Sequence, residues 1–150
     1  MIKILSLNQK KSPFYKIEDI KLKKKKKFKV KITEKIHKNF IKLSGDDSPI
    51  HNNEAFIKKN NFKKKLGHGF LITVILSQIY GKYFPGGREL CVSQTCFFRN
   101  PFFINDILEI VITPNKKINN FKLLEISIEI FVKKKIIFNG EATFILSLNK

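Results

Sequence analysis

The sequence predicts an α+β fold in which an antiparallel sheet wraps around one central, buried helix. Three features predict it. Phe70 to Tyr80 is apolar nearly all round, the stretches from Arg88 onward alternate apolar and polar side chains, and clusters of Gly, Pro, Asn and Asp separate one stretch from the next.

The elements follow in order. Residues 1–25 are a lysine-rich N-terminal extension of a single domain spanning 1–150, and the five lysines Lys23 to Lys27 belong on an exposed loop or edge. The fold is expected to begin near them. Phe28, Val30 and Ile32 then alternate with Lys29, Lys31 and Thr33, the period of a half-buried strand. Thr33 is placed to cap a helix with Ile36, Phe40, Ile41 and Leu43 as its apolar face, stopped by the turn cluster Ser44 to Pro49. Asn53 to Phe62 reads as a short, partly polar helix. Gly67-His68-Gly69 introduces Phe70 to Tyr80, whose length fits a buried helix or a strand. The helix is preferred because the later strands must cover something, and Gly81 and then Pro85-Gly86-Gly87 end it. Leu90 to Phe98, Ile107 to Thr113 closed by Pro114 and Asn115, Leu124 to Val132, and Ala142 with Phe144, Leu146 and Leu148 give four strands. Their short connections imply an antiparallel meander.

The chain has 150 residues, of which 43% are hydrophobic and 12% aromatic. The expectation is one domain with enough apolar material for a core, rather than a multidomain enzyme or a disordered basic tail. Apolar runs fall short of a membrane span, and the first residues lack the hydrophobic region of a secretory signal. Cys91 and Cys96 lie on opposite faces of a strand reading and are not expected to pair. A reduced, cytoplasmic protein with no membrane contact is the expectation.

Lys and Arg outnumber Asp and Glu by 30 to 12, a formal charge of +18. Such a balance suits nucleic acid, an anionic membrane surface, a phosphate-bearing ligand or an acidic protein. All but Arg88 and Arg99 of these cations are lysine, and they accompany abundant Ile, Asn and Phe, the drift expected of A- and T-rich codons. Nucleic-acid readers use arginine forks and stacked aromatics, so nucleic acid is not an expected partner.

One loop carries chemistry. Asp46 and His51 stand five residues apart on the Gly- and Pro-stiffened segment Phe40 to His51, and a carboxylate beside an imidazole is what general acid/base work near neutral pH requires. On spacing alone, Asp46 equally caps a turn and His51 starts the next helix. Downstream, Gly67-His68-Gly69 opens the apolar helix, whose first N–H groups are unsatisfied and carry the positive end of the helix dipole. A glycine there leaves room for a ligand oxygen.

Leu43-Ser44-Gly45-Asp46-Asp47-Ser48-Pro49-Ile50-His51, followed by His68-Gly69-Phe70-Leu71, Pro85-Gly86-Gly87 and Phe98-Arg99-Asn100-Pro101, resembles the MaoC-like, (R)-specific enoyl-CoA hydratases of the hot-dog fold. The resemblance covers roughly residues 26–148. It implies reversible syn addition of water to a trans-2-enoyl thioester, giving an (R)-3-hydroxyacyl thioester. By motif position, Asp46 and His51 hold and activate the water, and the backbone N–H of Gly69 binds the thioester oxygen. No metal and no cofactor are implied. The expected partners are an acyl-CoA or acyl-carrier-protein thioester and a second copy of the chain, as a homodimer. Ser48 departs from the Asn usual in the family and Asn53 from an Asp, which affects the hydrogen bonding of the loop. His68 is read as structural, and Thr73 and Ser77 either face an acyl pocket or bond back to carbonyls. Phe97, Phe98, Phe102 and Phe103 either narrow a pocket or fill the core. The rivals are a thioesterase on the same fold and a noncatalytic acyl or nucleic-acid binder.

Overall fold

Phe28 and Val30 turn inward from Lys26–Lys31 (β2) while the lysines between them stay outside, the alternation of a strand covered on one face. The computed structural model describes residues 2–7 and 14–146. The other strands are Ile4–Ser6 (β1), Leu90–Gln94 (β3), Phe97–Phe98 (β4), Ile107–Ile118 (β5), Leu123–Val132 (β6) and Lys135–Ile145 (β7). They form one antiparallel sheet in the order β1-β2-β5-β6-β7-β3, with β4 also paired to β7.

Between β2 and β3 come the helices Glu34–Ser44 (α1), Pro49–Asn52 (α2), Glu54–Lys59 (α3) and Gly69–Lys82 (α4). The sheet closes over α4. Leu71, Ile72, Ile75, Leu76 and Ile79 are buried, facing Leu108, Ile110 and Ile112 of β5 and the alternate residues Leu124 to Ile130 of β6. Each such side chain contributes about 1.5–3 kcal/mol by leaving water, so this contact is the bulk of the core. The helix is not buried all round, because Phe70, Val74 and Ser77 lie on a side the sheet leaves open.

Several expectations are corrected. The sheet begins earlier than Phe28: β1 pairs with β2, and Ile4, Ile17 and Ile20 enter the core. Lys117 holds that N-terminal segment by donating to the carbonyls of Ile17, Glu18 and Ile20 at 3.0–3.2 Å. Pro114 does not end β5, which continues past it through a bulge between Pro114 and Lys116, the kind of place where a strand tolerates proline. The stretch Leu90 to Phe98 is two strands, and both pair with β7 rather than β5, so the meander covers β5, β6 and β7 only. The break falls where the Thr95 carbonyl presses onto Gly140, a position without room for a Cβ. Leu148 lies outside the described residues.

Thr33 caps α1, its side chain accepting from the Ile36 N–H at 3.3 Å, and Gly45 ends the helix at φ +74. The buried face is rotated from the expected one: Leu43 is 81% exposed, and between the half-buried Ile36 and Phe40 the fully buried residue is His37. Cys91 and Cys96 are free thiols. No helix among the described residues is long and apolar enough to cross a membrane.

Candidate active site

After Gly45 the chain turns on its own side chains. The Asp46 N–H donates to the Ser44 hydroxyl at 3.1 Å, and the Asp46 carboxylate accepts the Ser48 N–H at 3.2 Å and the Ser48 hydroxyl. These two bonds from Ser48 hold the exposed carboxyl of Asp46 below the usual carboxylate range, so it is ionised at neutral pH. Ser48, the departure from the family's Asn, therefore still serves this loop. Pro49 opens α2, which carries His51, and Asn53 caps α3 by accepting the Phe56 N–H at 2.9 Å.

The second half of the site is the entry to α4. Gly67 donates its N–H to the Phe102 carbonyl at 2.8 Å, and a Cβ on Gly67 would run into the Phe102 ring. That contact draws Leu66 to Gly69 beneath the loop. His68, 2% exposed, stacks on His51 with ring centroids 3.6 Å apart and planes 26° apart. His37, 1% exposed, lies 5.0 Å from the His68 ring and 6.4 Å from that of His51.

Three histidines each give one N–H to a main-chain oxygen. His37 Nε2 donates to the His51 carbonyl at 3.1 Å, His51 Nδ1 to the Leu66 carbonyl at 3.0 Å, and His68 Nε2 to the Asp46 carbonyl at 3.0 Å. The acceptors assign the tautomers. His51 is left with a bare lone pair on Nε2, the form a base needs, on a half-buried ring. The Nδ1 atoms of His37 and His68 are buried without a partner, which a bare lone pair tolerates better than a proton does. Burial lowers the pKa of both, with the neighbouring His51 adding to the effect at His68.

Asp46, His51 and His68 each bring a ligand-type atom within 4.8 Å of the others. His68 Nε2 is engaged by the Asp46 carbonyl and lies 3.6 Å from the Asp46 carboxylate, and His51 Nδ1 is engaged by the Leu66 carbonyl, so two of the four nitrogens on these rings already have main-chain partners. Gly69, next to His68, is the first residue of α4 and carries one of its unsatisfied N–H groups. The structure thus brings together Asp46, His51 and Gly69, all named from the sequence, and adds His37 and the Leu66 carbonyl, which were not.

Farther along α4, a cavity of about 350 Å³ is lined by Thr73, Ser77, Tyr80, Gln94 and Phe144 among others. Thr73 bonds back to the Phe70 carbonyl at 2.7 Å while also facing this space. Tyr80 is fixed by its hydroxyl donating to Gln94 Oε1 at 2.8 Å. Of the four phenylalanines, Phe102 fills the core against Gly67, whereas Phe98 lies half-exposed over Gly69 with its ring 5.7 Å from that of Phe70.

A model of the MaoC like domain matches residues 17–133. The chain belongs to the MaoC-like domain family. It is 29% identical over 69% of its length to a 3-hydroxybutyryl-CoA dehydratase of Methylorubrum extorquens, covering 66% of that protein. It is 30% identical, again over 69% of its length, to an (R)-specific enoyl-CoA hydratase of Rhodospirillum rubrum, covering 72% of it. With a mitochondrial 3-hydroxyacyl-[acyl-carrier-protein] dehydratase of Arabidopsis thaliana it shares 31% identity over 73% of the chain and 67% of the relative. The matched part thus spans about two thirds of each relative. The solved (R)-hydratase of Aeromonas caviae superposes with a TM-score of 0.81 at 21% identity, over 87% of this chain and 99% of that one. This likeness shows that the MaoC-like chain has the hot-dog fold.

Proposed function

We propose that the protein is a hydro-lyase that adds water reversibly to a trans-2-enoyl thioester to give an (R)-3-hydroxyacyl thioester. The observation that carries this reading is the ionised carboxylate of Asp46 gathered with a ring nitrogen of His51 and of His68, all within 4.8 Å of one another at the N-terminus of α4. A water held between the two bases loses a proton to one of them as its oxygen bonds to C3. Electrons of the C2=C3 double bond move toward the thioester, and the N–H of Gly69 binds the oxygen where negative charge develops. One such donor is worth about 3 kcal/mol to the transition state. The enolate then takes a proton at C2 from the Asp46 and His51 pair, so water's two fragments end on C3 and C2 and the bases are restored. The acyl chain runs from Gly69 along the face of α4 that carries Thr73 and Ser77 into the cavity beyond, with Tyr80 and Phe144 as its far wall.

The acyl carrier is coenzyme A or an acyl carrier protein, and a lysine-rich surface suits the phosphates of one and the acidic side chains of the other. The protein acts as a homodimer in the cytoplasm, a compartment that fits its two free thiols.

Asp46→Asn and His51→Ala test the reading. Each is expected to lower hydration of an enoyl thioester by about 100- to 10,000-fold, because Asn keeps the size of Asp but takes no proton. Since both act on one water, the double variant should be little worse than the poorer single one. Asp47→Asn is the control and should change little. An Asp46→Asn enzyme that kept more than about a tenth of the wild-type rate would contradict general acid/base catalysis at this position. Hydrolysis of the same thioesters in place of hydration would identify a thioesterase. Graded chain lengths on both carriers give the substrate range in the same assay.

A further inference from the structure

We propose that His37 is a positioning residue of this site, holding the main chain of His51 through its Nε2–H so that the His51 ring is fixed at both ends. The proposal rests on the reading of Asp46 and His51 as the acid/base pair.

The inward face of α1 needs apolar volume at position 37, between Ile36 and Phe40, and a leucine would supply it without the cost of burying an imidazole. What a histidine adds there is one aimed N–H. Its acceptor, the His51 carbonyl, lies 3.1 Å away in the four-residue helix α2. A helix that short leaves most of its carbonyls unpaired, and its closing bond runs from the Asn53 N–H to Pro49 at 2.8 Å rather than to His51. His37 therefore satisfies an oxygen the helix cannot, and it ties α1 to α2 across the loop that carries Asp46.

The grip has two points. The Leu66 carbonyl holds the ring at Nδ1 and His37 holds the backbone, so Nε2 has little freedom to swing away from a water beside Asp46. The charged groups around His37 are Glu34 on its own helix and Lys65 before α4, which pair with each other at 3.5 Å, and the other titratable neighbours are the rings of His51 and His68. Glu34 and Lys65 offset each other, and burial keeps the ring neutral, the state in which Nδ1 needs no partner.

The test compares His37→Leu with His37→Gln in enoyl thioester hydration. Gln presents an N–H at about the reach of imidazole Nε2, whereas Leu fills the space without a donor. His37→Leu should lower kcat by about 10- to 100-fold with KM nearly unchanged, the scale at which a small misplacement of a reacting group is felt. His37→Gln should recover most of that loss. Added to His51→Ala, His37→Leu should cost nothing further, because its effect passes through His51. Should the Leu variant unfold, His37→Met gives the same comparison with a more adaptable apolar side chain. The proposal is overturned if the apolar variant keeps the wild-type kcat, if Gln falls with Leu, or if the apolar variant slows His51→Ala as much as it slows the wild type. An active His51→Ala enzyme would overturn the hydratase reading itself, which separates the two failures.

Discussion

His37 and His68 make the folded state sensitive to acid. Burial lowers the pKa of both below the ordinary 6.5, so at pH values just under 6.5 the unfolded chain binds protons that the folded chain does not. Stability is then greatest above that pH and is lost as pH falls through the window, by at most about 1.4 kcal/mol per pH unit for each histidine. Asp46, whose pKa is also lowered, acts in a separate window below 3.8. Urea midpoints should drop between pH 7.5 and 5.5, and His37→Gln should flatten the change. Equal midpoints at the two pH values would contradict buried, neutral histidines. Asp46, His51 and Gly69 were singled out in the sequence through the likeness of their motif to the MaoC-like family, since spacing alone allowed a turn cap and a helix start equally well. His37 was not, since its partner is a carbonyl oxygen, which every residue has and no sequence pattern marks.

At the scale of elements, strands β2 and β6 were legible from their alternation alone, whereas the apolar run of α4 fitted a helix or a strand and was decided by the later strands that had to cover it. What escaped were features set by distant residues. The break between β3 and β4 depends on Gly140, far along the chain, whose missing side chain admits the Thr95 carbonyl. Thr95 is also held to Glu141 through its N–H at 2.8 Å. Gly140→Ala would force two stretches of backbone apart, and we expect it to destabilise the protein by about 1–3 kcal/mol, as overpacking does. Because β4 carries Phe98 over Gly69, activity should fall in the same variant. A urea midpoint unchanged by Gly140→Ala would show that the strands yield without cost.

At the scale of the whole molecule, the order of strands leaves β3 at one end of the sheet, with Leu90 and Val92 more than half exposed. The opposite end is covered by β1, only three residues long. An exposed apolar strand edge invites pairing, and two copies of β3 related by a two-fold axis would each cover the other. Sedimentation at micromolar concentration should report a dimer, and Val92→Lys should yield a folded monomer. A wild-type monomer would contradict the pairing. The net charge, by contrast, told little about architecture: Lys117 bridges to three carbonyls of the N-terminal segment, and nothing in composition distinguishes it from the other lysines. The three histidine bonds have a different consequence for inheritance. Their acceptors at Asp46, His51 and Leu66 belong to the peptide chain, so exchanging the side chain at Leu66 deletes no oxygen. A lineage can therefore rewrite much of its surface and core composition while the cradle of the imidazoles persists, provided that mutation spares the few backbone positions, Gly67 and Gly45 among them, on which the path of the chain depends.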